Sequence, residues 1–329
     1  MNPLMHRRGF VSLVAAAAAA AAPSLHAQDA WAPTRPVSLV VPFAPGGPTD
    51  AIARAVAERL GKALGQPMVV ENRPGAGGAI AYEHVARAAP DGHTIGMLGS
   101  SMVANAALGI LQLDPLRNFT PIAQLFNLEI LLVVRPEVPA NSVGELIRYL
   151  KAHPGRLNYG SSGNGSLTHL QMEVFKSLTG TSIVHIPYKG SSGTVQDLLA
   201  GQIQLSFDTV ATFGPHIKSG ALRLLAVAMP TRSSMFPDTP LLVDSDPLLK
   251  DFDLAVWAGL GGPAGLPKPI VARIHQEVGN ALKDDALVQR LHAAGAAPAP
   301  SSTEAFVQRM GNESVKLTRL IRQINLKVG

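Results

Sequence analysis

The sequence predicts an α/β fold made of two units, each a mostly parallel sheet flanked by helices. Three observations carry that reading. Apolar, β-branched runs alternate along the chain with amphipathic helical periods. Several runs, such as Val40-Val41 and Leu131-Leu132-Val133-Val134, are continuously apolar, as strands covered on both faces are. At 329 residues the chain is long enough for two medium-sized domains.

Residues 1–27 come first and read as an export leader. They hold Arg7 and Arg8 and no acid, then an apolar run from Phe10 to Ala22, then Leu25-His26-Ala27. That is the basic, apolar, small-residue order of a secretory signal, with cleavage expected after Ala27. The general secretory route is expected, although Arg7-Arg8-Gly9-Phe10 also resembles a twin-arginine signal. The apolar run is too short to span a bilayer, which takes about 20 residues.

A buried strand at 37–42 then runs through Phe43-Ala44-Pro45-Gly46-Gly47 into a helix at 49–64. Pro48 suits a first helical position, where a missing N–H costs nothing. Such a turn leaves backbone amides at a helix N-terminus, a place that favours anions and carboxylates. Ala44, Pro45, Gly46, Gly47 and Thr49 are therefore candidate ligand residues. Asp50 either caps the helix or meets an amine on the ligand.

Strand 68–71 leads into Asn72-Arg73-Pro74-Gly75-Ala76-Gly77-Gly78 and a helix at 78–87. The glycines do not complete a dinucleotide fingerprint, because Ile80 stands where the last Gly belongs. Strand 94–98 ends at Gly99-Ser100-Ser101. Open α/β sheets bind ligands at such strand ends, so Ser100 and Ser101 are candidates. Strands at 123–126 and 130–134 and a helix at 143–152 follow.

A second anion turn follows strand 157–159. Ser161, Ser162 and Ser166 offer hydroxyls, Gly163 and Gly165 let amides approach closely, and Asn164 adds an amide group. His169 lies one turn into the next helix, 166–178. Strand 183–186 ends at Tyr188, which either lids the cleft or packs. After helix 193–200, strand 203–207 ends at Asp208, which holds ligand or water or starts the next helix. Strands at 222–228 and 255–260 and helices at 269–283, 285–293 and 303–324 complete the chain. The expected domains are 28–129, 130–254, and a return to the first domain over 255–329. Two chain crossings would then form a hinge.

Composition narrows the function. There is no Cys, which excludes disulfides, thiolate metal sites and a Cys nucleophile. The net charge is +5, and loss of the leader lowers it by two. No basic cluster with interleaved aromatics suggests nucleic acid. Ser162 lacks the second Gly of a nucleophile elbow, no phosphate-binding loop is present, and His169 with Glu173 lacks a third metal ligand. No enzyme activity, cofactor or metal is expected.

Taken together, Arg35-Pro36-Val37 with Val40 through Asp50, Val70 through Gly78, Pro90-Asp91-Gly92-His93-Thr94, Leu157 through Ser166 with His169, and Ile186 through Gly190 resemble one family. It is the solute receptors of tripartite tricarboxylate transporters, the Bug or TctC type. The resemblance spans essentially the whole chain after the leader. It implies a two-domain periplasmic-binding-protein fold of the type II Venus flytrap kind and a small carboxylate held largely by backbone groups. It also implies a monomeric receptor that hands its ligand to membrane permease subunits. A sensing subunit that presents the same ligand to a signalling membrane protein fits the sequence as well. The residues leave open whether the ligand is a mono-, di- or tricarboxylate or an amino acid.

Overall fold

A computed structural model describes residues 31–323, apart from 230, 231, 234 and 253. The expected leader lies outside the described residues. From Ala32 onward the chain forms one compact unit, and it holds two sheets.

The first sheet starts with β1 (Val37–Val41). Val37, Leu39, Val40 and Val41 are all buried, so both faces are covered. Helix α1 (Pro48–Leu64) follows, with Pro48 at its start and Gly65 ending it at φ 73°. Then come β2 (Met68–Asn72), α2 (Ala79–Ala86), β3 (Thr94–Gly99), α3 (Ser100–Ala107) and β4 (Phe119–Leu128). Glu129 alone separates β4 from β5 (Ile130–Val134), which lies in the second sheet.

The second sheet continues with α4 (Val143–Ala152), β6 (Asn158–Ser161), α5 (Leu167–Thr179), β7 (Val184–Pro187), α6 (Ser191–Ala200), β8 (Leu205–Thr209), α7 (Val210–Lys218) and β9 (Arg223–Val227). A short helix, α8 (Leu242–Ser245), lies on the way back to β10 (Val256–Pro263). Helices α9 (Lys268–Ala281) and α10 (Asp285–Ala293), strand β11 (Ala296–Pro298) and helix α11 (Thr303–Gln323) complete the first half.

The two sheets share one plan. Their orders are β11-β4-β10-β3-β1-β2 and β7-β6-β8-β5-β9. In the first, β2, β1, β3 and β4 point one way, and β10 lies antiparallel between β3 and β4. In the second, β7, β6, β8 and β9 point one way, and β5 lies antiparallel between β8 and β9. Strands β10 and β5 are thus each the first strand reached after the chain crosses from the other sheet, and β11 at the edge of the first sheet also runs antiparallel to β4. The two-sheet, helix-flanked α/β architecture agrees with the sequence expectation, but the sheets are mixed: four neighbouring strand pairs are parallel and five antiparallel.

Four elements go beyond the sequence expectation. Helix α3 reads as Ser-Ser…Asn and shows no polar stripe, because Ser100, Met102, Val103, Ala104 and Asn105 are all buried. Helix α7 contains Gly214 and Pro215, both unfavourable in a helix interior. The short α8 and the three-residue β11 carry too little pattern to be seen. Strand β4 also starts earlier than expected, at Phe119.

Candidate functional site

The C-terminal ends of β1 and β3 lie side by side in the first sheet, and a helix starts from each. The N-cap residues are Gly47 for α1 and Gly99 for α3, and neither helix has a side-chain cap. Their first-turn amides therefore have no capping side chain to satisfy them, as anion-binding helix ends require.

A cavity of about 60 Å³ lies against these ends. Pro42, Phe43 and Thr49 line it from the first turn, and Gly99, Ser100 and Ser101 from the second helix start. Tyr82, Met97, Phe126, Leu128, Val256, Trp257 and Ala258 form its walls. Leu167, the first residue of α5, reaches it from the second half. Among the described residues no charged side chain lines it. A larger hollow of about 440 Å³ lies at the other end of α1, between Ala57 and Met68. It is an open surface groove, remote from both helix starts.

The first turn is braced from within. Asp50 is buried, and its carboxylate accepts the Gly46 N–H (2.9 Å), the Arg54 Nε–H (3.0 Å) and an Asn72 amide N–H (2.8 Å). Although burial opposes ionisation, these three donors and the Arg54 charge together hold the carboxyl below its ordinary value. Asp50 thus braces the turn and does not supply the helix cap, one of its two expected roles. The Gly46 amide, expected to be free, is taken by Asp50. Ala44, Pro45 and Gly46 form an exposed rim, and Gly47 and Thr49 are half-buried behind it.

Ser100 is buried, and its hydroxyl lies 3.4 Å from the Trp257 carbonyl and 3.3 Å from the Trp257 N–H. Ser101 Oγ lies 2.7 Å from the Tyr82 hydroxyl. Burial drives the Tyr82 phenol well above its ordinary value, so it keeps its proton.

The second turn is also closed on itself. Ser161 Oγ lies 2.6 Å from His185 Nε2 and 3.2 Å from the Gly163 N–H, which donates to it. The Ser162 N–H donates to Thr168 Oγ1 (3.0 Å), and the Ser162 and Ser166 hydroxyls each lie 3.1 Å from the same oxygen. Ser166 caps α5 by accepting the His169 N–H. His169 Nδ1 accepts the Gly165 N–H at 3.2 Å. Asn164 stands exposed at the tip. None of Ser161, Ser162, Gly163, Asn164, Gly165, Ser166 or His169 lines the cavity; their neighbour Leu167 does.

His169 belongs to a stack of three rings, in which Tyr159 and His169 are buried and His185 half-buried. Its ring lies 4.1 Å from His185, at 7°, and His185 lies 4.7 Å from Tyr159. Burial pushes the His169 imidazole down, and burial with His169 beside it pushes His185 down to about 4. Glu173 accepts from the Tyr159 hydroxyl and from Lys176, both at 2.6 Å.

The last two candidates also serve their own elements. The Tyr188 hydroxyl donates to Asp197 (2.6 Å); burial and that carboxylate push the phenol up to about 12. Asp208 is buried, and its Oδ1 accepts the Thr209 N–H (2.7 Å) and the Thr212 hydroxyl (3.0 Å) at the start of α7. Burial raises its carboxyl above the ordinary range. Thr49, Ser100 and Ser101 are the sequence candidates that line the cavity. Sequence reasoning misses Tyr82, Met97, Phe126 and Trp257. An apolar wall gives no sequence signal distinct from core.

Comparison with known proteins places this architecture. Residues 52–326 match the family described as the tripartite tricarboxylate transporter family receptor, TctC. Protein BugT of Bordetella pertussis is 33% identical over 302 residues, 90% of this chain and 91% of that one. The structure of Rpa4515 from R. palustris with adipate superposes with a TM-score of 0.81 at 33% identity, covering 90% of this chain and 99% of that one. The periplasmic binding protein BugD superposes with a TM-score of 0.79 at 31% identity, over 90% and 99%. These relatives are receptors and not enzymes, and the chain belongs to the tripartite tricarboxylate transporter receptor family.

Proposed function

We propose that this protein is a periplasmic receptor that takes a small carboxylate into the cavity at the starts of α1 and α3 and delivers it to the membrane subunits of a tripartite transporter. The carrying observation is the convergence of two helix N-termini without side-chain caps on one enclosed, uncharged cavity. A carboxylate there meets backbone amides and the positive ends of two helix dipoles. The adipate in Rpa4515 supports the ligand class. In this reading residues 28–129 with 255–329 form one lobe and 130–254 the other. Glu129 and the segment after Val227 are the hinge. The turn at 161–166 closes over the ligand, and Leu167 already reaches the cavity.

The test is a thermal-shift panel of small carboxylates on protein spanning residues 28–329, refolded to strip carried ligand. A hundredfold excess over Kd adds about 2.7 kcal/mol, a rise on the order of 4 °C for a chain of this size. A rise with at least one acid is expected. A flat panel on folded protein overturns the reading.

A further inference from the structure

Tyr82 lies outside both turns, yet it occupies the cavity wall. Its side chain is 1% exposed. The ring is wedged against Gly78, where a Cβ would stand 3.0 Å from Cε2 and 2.9 Å from the Pro42 Cβ. Its position is therefore fixed by backbone on one side. On the other side its hydroxyl meets Ser101 at 2.7 Å. The two hydroxyls own two hydrogens, and the bond between them uses one. The other has no acceptor among the described residues. It is a donor placed beside the uncapped start of α3.

The rest of the cavity is different in kind. Met97, Phe126 and Trp257 are nearly fully buried and apolar. The donors sit at the two neighbouring helix starts, Thr49 with α1 and Ser101 with α3, and the rest of the cavity is apolar. Its volume of about 60 Å³ is small. At roughly 10–15 Å³ for each water-sized occupant, it holds on the order of four to six non-hydrogen atoms. A second carboxylate in the apolar part would lose its hydration with no donor or cation to replace it.

Building on the carboxylate-receptor reading, we propose that Tyr82 sets the ligand class as a short monocarboxylate of three or four carbons. The carboxylate lies on the Tyr82–Ser101 hydroxyl pair and the first amides of α3. The alkyl group lies on Met97, Phe126 and Trp257. The Tyr82 ring blocks longer acids.

The test is calorimetric titration of wild type, Tyr82→Ala and Tyr82→Phe with propionate, butyrate, hexanoate, succinate and adipate, with far-UV circular dichroism confirming the fold. Wild type is expected to bind butyrate at least tenfold more tightly than hexanoate or adipate. Tyr82→Ala should reverse the butyrate-to-hexanoate preference by tenfold or more. Tyr82→Phe should keep the size preference and weaken all binding about fivefold. Should Tyr82→Ala not fold, the Phe variant decides alone: wild-type affinity in it overturns the assignment. A wild type that prefers succinate or adipate, or an Ala variant with unchanged preference, overturns this inference and leaves the carboxylate receptor standing. Folded wild type that binds none of the acids, together with a flat wider panel, overturns both.

Discussion

His185 shows how far a single side chain departs from its sequence context. It lies in β7 and stays half-buried in the fold. The fold stacks it on His169 and Tyr159, hydrogen-bonds it to Ser161, and brings Glu173 and Lys176 close by. Burial and its histidine neighbour lower its pKa from 6.5 to about 4. Between those values the unfolded chain binds the extra proton. Stability is therefore full above about pH 6.5 and is lost as pH falls towards 4. The loss expected is roughly 2 kcal/mol, less than the full shift implies because solvent screens a partly buried ring. It would be seen as a falling thermal midpoint across that window. His185→Gln should flatten the profile, and an unchanged profile would refute the assignment. The same distinction separates what the sequence shows of the site from what it hides. Thr49, Ser100 and Ser101 are legible because they sit at strand-to-helix junctions. Tyr82 is not, because a tyrosine inside a helix period looks the same whether it faces core or ligand. Asp50 is ambiguous until its three donors are placed.

At the scale of the element, glycines decide which strands can lie together. Gly259 lies in β10, and a Cβ there would stand 2.4 Å from the Ala123 carbonyl oxygen and 2.8 Å from the Gln124 Cα. Both obstacles are backbone of β4, so the sheet must open for any side chain. Gly160 lies in β6, where a Cβ would stand 2.4 Å from Ile203 Cδ1 and 2.8 Å from Thr194 Cγ2. Those are side-chain tips and can shift. Gly160→Ala is therefore expected to cost about 1–3 kcal/mol, the range for an overpacked core, and Gly259→Ala more than that. Urea unfolding midpoints check the order; equal losses would contradict it. The strands are readable from apolar runs, and so are the long helices with one polar face. Helix α3 is not. It is buried nearly all round, so it lacks the polar half on which periodicity depends. Helix α7 is hidden by a Pro and a Gly that its tertiary contacts tolerate.

For the whole molecule, alternation of strands and helices is enough to predict two helix-flanked sheets. The exchange of one reversed strand between them is beyond local pattern, because it depends on where the chain crosses. That exchange also sets an order of assembly. Strand β10 is the central partner of β3 and β4, yet the entire second sheet precedes it in the chain. A chain made or delivered from its N-terminus must hold β3 and β4 apart, with open edges, until the last quarter arrives. Such edges invite pairing with other chains, and contacts between distant segments slow folding. A fragment ending at Leu254 is therefore expected to elute as aggregate in size-exclusion chromatography, whereas the chain through residue 323 elutes as a discrete folded species. A soluble, folded fragment would show that the first sheet closes without β10. The first sheet is thus among the earliest parts to be made and among the last to be finished.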